Sequence, residues 1–127
     1  MSAATIRHGG ARAFYQPGTD EIHLPPGQYF PRADRYYATA LHELTHWTSH
    51  ARRCNRQLGQ RFGDDAYAAE ELIAEMGAAF LCAHCHIDGR HAPAATWLAV
   101  ESRYLADGVG FEPTRDLRPC RFSRPVH

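Results

Sequence analysis

The residues best suited to chemistry lie in one short run, TALHELTHWTSH, whose three histidines recur at intervals of four. Within it, His42, Glu43 and His46 form an HExxH motif. On a helix the two imidazoles would project from one face, one turn apart, and could bind one metal ion such as Zn²⁺. Glu43 would point about 100° away around the helix axis, where its carboxylate can accept a proton from metal-bound water.

A metal ion that activates water needs a third protein ligand and an open coordination position. The downstream segment AEELIAEMGAAF offers carboxylates for this role. Glu71 and Glu75 are four residues apart and would share one helical face. One can bind the ion while the other accepts a hydrogen bond from the far nitrogen of a ligand histidine. Alone, such a pair indicates a solvated face; with the upstream HExxH it indicates the rest of a metal site.

Other residues that could do chemistry are assigned plainer roles. His50 continues the four-residue spacing, but a fourth ligand would close the open position, so we expect it beside the site or at the surface. The run CAHCH, which contains Cys82 and Cys85, matches a haem-attachment signature. We favour a plainer interpretation, with cysteine in the core and the histidines exposed to solvent. Four arginines cluster near the end of the first predicted helix: Arg52, Arg53, Arg56 and Arg61. They could contact phosphates, but we expect their positive charge to interact with the helix C-terminus instead.

A β-hairpin is predicted upstream of the motif. Residues 12–15 and 21–24 are short strand-like runs joined by QPGTD. In this turn Pro17 fixes φ and Gly18 tolerates a positive φ.

Three helices are predicted, over residues 33–53, 65–84 and 94–105. The first carries apolar positions at a 3.6-residue period: Tyr37, Leu41, Leu44 and Thr48. The second carries another stripe, widened by Ile73 and Gly77: Leu72, Met76, Ala79 and Phe80. We expect both stripes to face the core. Hairpin and helices together indicate an α+β domain over residues 1–107, followed by an irregular tail over 108–127.

The composition is typical of one globular domain. The 127 residues carry fourteen basic and fourteen acidic side chains, so net charge favours neither nucleic acid nor a membrane surface. No apolar run approaches membrane-spanning length, and the N-terminus lacks the apolar region of a secretory signal. We therefore expect a cytoplasmic protein with reduced cysteines and no membrane partner.

Three segments resemble a known family: GARAFYQPGTDEIHLPP, YYATALHELTHWTSHARRCNR and FGDDAYAAEELIAEMGAAFLCA. Over residues 6–100 the chain is similar to the C-terminal zincin-like metallopeptidase domain of ArdC-type antirestriction proteins. The resemblance implies a small gluzincin fold in which His42 and His46 bind the metal and Glu43 is the catalytic glutamate. It also implies Glu71 as the third ligand and Glu75 as the residue behind a ligand histidine, with Glu70 as the alternative third ligand.

Two departures from the family pattern add an expectation. Full-length members carry an N-terminal single-stranded-DNA-binding domain, which these residues do not contain, so direct nucleic-acid binding is not expected. After the WLAV run the sequence leaves the family pattern. We therefore expect a truncated copy whose fold is more secure than its activity.

The function implied is a zinc-dependent metallopeptidase-type hydrolase, with Mn²⁺ or Co²⁺ as alternative metals. Its substrate would be a peptide or protein, and its partner a restriction–modification or plasmid DNA-processing protein. The alternative is a non-enzymatic antirestriction or DNA-processing-associated binding module, in which the metal only holds the two helices together.

Overall fold

A computed structural model describes residues 3–56, 58 and 65–88 of the chain. Within them, a small sheet is followed by a 3-10 turn and two helices. The elements are β1 (Thr5–His8), β2 (Phe14–Gln16), β3 (Glu21–Leu24), the turn Gly27–Tyr29, α1 (Ala33–Trp47) and α2 (Asp65–His84). This arrangement confirms the predicted α+β class. The predicted third helix and the tail lie outside the described residues.

The strands β2 and β3 form an antiparallel hairpin, as predicted, in which Tyr15 pairs with Ile22. β2 begins at Phe14, slightly later than predicted. The positive φ of the turn lies at Asp20 (56°) and not at Gly18, and aspartate is among the residues that tolerate this region. The Tyr15 hydroxyl donates a 2.7 Å hydrogen bond to Asp20 and so fixes the turn to its strand.

β1 is a third strand that the sequence pattern does not predict. It pairs in parallel with β3, which gives the strand order β1-β3-β2 and leaves β2 at one edge of this sheet. Its residues, TIRH, are all exposed and include one apolar side chain. No alternation of apolar and polar residues therefore marks it as a strand.

α1 lies between the sheet and α2 and contacts both. On the sheet side, Ala40, Leu44 and Trp47 pack against a buried cluster of Ala13, Tyr15, Ile22 and Leu24. Because α1 also buries its opposite side against α2, polar residues of that side are enclosed as well. Tyr37, predicted to face the core, is exposed instead.

The helix α1 ends at Trp47, well before the predicted end at residue 53. Side chains from the following loop hydrogen-bond the last carbonyl groups: Arg53 Nε donates to Trp47 O at 2.7 Å, and an Arg56 Nη donates to Thr45 O at 2.8 Å. Both carbonyls also accept backbone hydrogen bonds, Trp47 O from His50 at 3.3 Å and Thr45 O from Thr48 at 3.1 Å, so the arginines add a further donor at the helix end. Arg53 and Arg56 therefore interact with the C-terminus of α1, as predicted.

α2 has the predicted bounds, but the predicted inward face is wrong. Leu72, Met76 and Phe80 are 61%, 52% and 72% exposed. The buried side lies about 180° around the axis and consists of Tyr67, Glu70, Ala74, Ala78 and Cys82. Small side chains on this side allow α2 to approach α1 closely, and the acidic side chains meet the histidines of α1.

Candidate metal centre

The HExxH motif lies on the side of α1 that faces α2. The side chains of His42, Glu43 and His46 are completely buried. Helical spacing places the two imidazoles one turn apart in an edge-to-face arrangement, and their Nε2 atoms are 3.2 Å apart. Two histidine nitrogens therefore converge on one point, as a shared metal ion requires.

Glu71 of α2 completes a group of three ligand atoms. Its carboxylate oxygens lie 3.1 Å from His46 Nε2 and 3.6 Å from His42 Nε2. One ligand atom from each of these residues falls within 4.8 Å of the others. Both Glu71 oxygens are buried, and in the described part of the chain neither has a hydrogen-bond partner of good geometry. A buried carboxylate in this position is compensated by a cation, so the donor set fits a divalent metal.

Each histidine also contacts its own carboxylate through its other ring nitrogen. His42 Nδ1 lies 3.2 Å from Glu75, the residue expected behind a ligand histidine. His46 Nδ1 donates a 3.2 Å hydrogen bond to Glu70. Such contacts fix ring orientation and make the Nε2 nitrogen a stronger ligand. Glu70, considered only as an alternative third ligand, therefore lies on the far side of His46.

Glu70 is in turn held by Arg56. Arg56 donates from Nε to one Glu70 oxygen and from an Nη to the other, both at 3.0 Å. From the sequence, Arg56 is predicted only at the end of the first helix, and Glu70 has no predicted partner. One feature of the sequence could have indicated this arrangement. EELIAE contains two adjacent acids, and adjacent acids on one helix can contact different residues of a facing helix.

The electrostatics follow from burial and from these contacts. Burial raises the pKa of Glu43 to about 7, although His46 and His42 nearby oppose the shift. Burial disfavours charge on His46, but its contacts with Glu70 and Glu71 outweigh this and raise its pKa to about 10. For Glu71, burial is outweighed by His42 and His46, which lower its pKa to about 2. The carboxylate of Glu71 is thus charged at neutral pH.

The remaining candidates lie apart from this group. His50 accepts a 3.1 Å hydrogen bond from the Arg52 backbone and is not among the three converging residues. Cys82 is buried and Cys85 exposed, both as free thiols, which agrees with the plain interpretation of CAHCH.

Comparison with known proteins identifies the family. Residues 1–106 match the sequence profile of the zincin-like metallopeptidases. The chain belongs to this family. Among the described residues, neither helix of this zincin-like domain is long and apolar enough to cross a membrane.

Two curated relatives are DNA primase TraC proteins of Escherichia coli. One is 55% identical over 95 residues, which cover 72% of this chain and 9% of the relative. The other is 50% identical over 131 residues, which cover 99% of this chain and 8% of the relative. The second similarity therefore continues past residue 107, although the chain spans under a tenth of either relative.

Solved structures of the antirestriction ArdC protein from the R388 plasmid show the same fold. The Mn(II)-bound structure matches with a TM-score of 0.63 and 43% identity, over 82% of this chain and 39% of that chain. The metal-free structure matches with a TM-score of 0.62 and 41% identity. The resemblance to ArdC-type proteins is thereby confirmed.

Proposed function

We propose that the chain is a metal-dependent peptidase domain in which His42, His46 and Glu71 bind a divalent metal ion. The observation that carries this proposal is the convergence of three ligand atoms beside the buried carboxylate of Glu43. Two imidazole nitrogens and one carboxylate suit Zn²⁺, and the same donors accept Mn²⁺ or Co²⁺. We propose zinc as the physiological metal. Mn(II) in the ArdC structure supports the broader class of divalent ions.

When bound, the metal supplies a Lewis acid that polarises a carbonyl and makes water more acidic. Glu43 is the general base: it takes a proton from the attacking water and delivers it to the leaving nitrogen. Burial raises the pKa of this carboxyl toward neutrality, which favours proton transfer in both directions. Glu75 and Glu70 hold the two imidazoles in place from behind.

The proposed substrate is a peptide in extended conformation. β2 is an edge strand of the sheet that packs against α1, and its Tyr15 backbone lies near Glu43. An edge strand can add a peptide through backbone hydrogen bonds, which would bring a peptide carbonyl close to Glu43. The names of the relatives support a partner in restriction–modification or plasmid DNA processing.

The deciding experiment is Glu43→Gln, with Glu21→Gln on the sheet as a matched control. Zinc content is measured by elemental analysis, and hydrolysis is measured with a fluorescence-quenched peptide library. We expect both variants to bind one metal ion, and only Glu43→Gln to lose activity, by about 10²-fold or more. Equal hydrolysis by Glu43→Gln and the parent would refute the mechanism. Stoichiometric metal in a parent without any hydrolysis would instead favour the binding module.

A further inference from the structure

Arg56 lies in the loop after α1, and its side chain is directed toward the histidine-carboxylate contacts. We infer that Arg56 is a positioning residue, which holds Glu70 against His46 and so increases metal affinity. This inference rests on the proposed metal site and concerns how tightly that site binds.

The first support is the geometry between Arg56 and Glu70. The guanidinium and the carboxylate form two parallel hydrogen bonds of 3.0 Å each. One of these two oxygens, Oε1, also accepts the hydrogen bond from His46 Nδ1 at 3.2 Å. Glu70 is only 2% exposed, so water contributes little to holding it. The paired bonds restrict rotation of the carboxylate and thereby the orientation of the imidazole.

The second support is that Arg56 is itself anchored to α1. The same Nη that contacts Glu70 donates to Thr45 O at 2.8 Å, and the other Nη donates to Thr48 Oγ1 at 2.9 Å. The Arg56 backbone nitrogen also donates to Ser49 O at 2.9 Å. The guanidinium therefore ties α1, which carries His46, to α2, which carries Glu70. A lysine could not reproduce this planar set of donors.

The two histidines differ in how they are supported. Glu75, which contacts His42, has a side chain that is 37% exposed. Glu70, which contacts His46, is enclosed and paired with a cation. Arg56 therefore supports the half of the site that contains His46.

Arg53 is a matched control for a purely structural role. It follows α1 in the same loop, its side chain is 18% exposed against 22% for Arg56, and it too donates to a terminal carbonyl of α1. It also pairs through both Nη atoms with a carboxylate, that of Asp20. Its carboxylate partner does not contact His46 in the described structure. Loss of either arginine should reduce stability, but only loss of Arg56 should weaken metal binding.

The experiment compares the full chain with Arg56→Gln, Arg56→Lys and Arg53→Gln. Zn²⁺ affinity is measured by competition with a chromogenic chelator, well below the unfolding temperature of each variant, and thermal unfolding is followed separately. We expect Arg56→Gln to lose about tenfold in affinity or more, and Arg56→Lys to recover little of it. Arg53→Gln should unfold at a lower temperature with affinity within about twofold of the parent.

A folded Arg56→Gln with the affinity of the parent would overturn the inference, even if the parent binds zinc and hydrolyses peptide. Should Arg56→Gln fail to fold, Glu70→Gln replaces it, since the amide keeps an acceptor for His46 but loses the charge that Arg56 holds. Parental affinity in Glu70→Gln would overturn the inference as well. A parent that binds no Zn²⁺ would refute the proposed site itself and this inference with it.

Discussion

A Cβ placed on Gly77 of α2 would lie 2.6 Å from both the methyl carbon and the hydroxyl oxygen of Thr45 on α1. Real side chains do not approach so closely, so the two helices meet here with no room for a side chain. Thr45 precedes His46, and Gly77 lies two residues after Glu75. This close approach therefore brings the carboxylates of α2 within reach of the histidines.

Gly77→Ala should force the helices apart and weaken both the fold and the site. We expect a loss of about 1–3 kcal/mol in the free energy of unfolding, measured with denaturant, because the added methyl overpacks the interface. Zn²⁺ affinity should fall as well. Thr45→Ala in the same chain should restore part of both, although its remaining Cβ would still lie only 3.1 Å away. A more stable Gly77→Ala, as helix propensity alone would give, would contradict this interpretation.

His46 and His50 offer a direct comparison within one histidine series. Elemental analysis of the purified variants should show that His46→Ala loses its metal and that His50→Ala keeps it. The reason is geometric, because His46 Nε2 faces Glu71 while His50 lies beyond the end of α1. Equal metal content in the two variants would exclude His46 as a ligand.

Substitution of Glu71 should reduce metal affinity more than substitution of Glu75. Glu71→Gln removes the proposed anionic ligand, whereas Glu75→Gln removes only the charge behind His42. We expect Glu75→Gln to lose about 10- to 100-fold in metal affinity and Glu71→Gln to lose more. The chelator competition described above measures both. The reverse order would make Glu75 the better candidate for the third ligand.

Acid stability should depend on the pair formed by Asp20 and Arg53. Hydrogen bonds from Arg53 lower the pKa of Asp20. A carboxyl whose pKa is lower in the folded state stabilises the fold above its unfolded pKa, about 3.9, and this contribution is lost as pH falls through the folded value.

Denaturant unfolding of Asp20→Asn and of the parent, repeated from pH 7 to pH 2, tests this dependence. The parent should be more stable by about 1 kcal/mol at neutral pH, and the difference should shrink below about pH 4. The difference in stability between Arg53→Gln and the parent should also shrink below this pH, since Arg53 is the other partner of the ion pair. A difference that stays constant with pH would show that the charge on Asp20 contributes nothing.

Local features of the sequence predict much of this structure. The hairpin depends on neighbouring turn residues, and α2 begins and ends at the predicted residues. The orientation of α2 about its own axis is predicted wrongly. Hydrophobic periodicity indicates which residues share a face of the helix, but it does not show whether that face packs against another element or faces solvent. Here Ala74, Ala78 and Gly77 turn toward α1, since only small residues fit there.

By itself, the sequence determined that His42 and His46 would lie one turn apart and that acidic residues would follow on a second helix, because both are properties of helical spacing. Only the tertiary structure decided which acid meets which ring nitrogen. Glu70 and His46 are 24 residues apart, and their contact depends on the distance and rotation of α2 relative to α1. Arg56 joins them from a third segment, a relationship that no local pattern encodes.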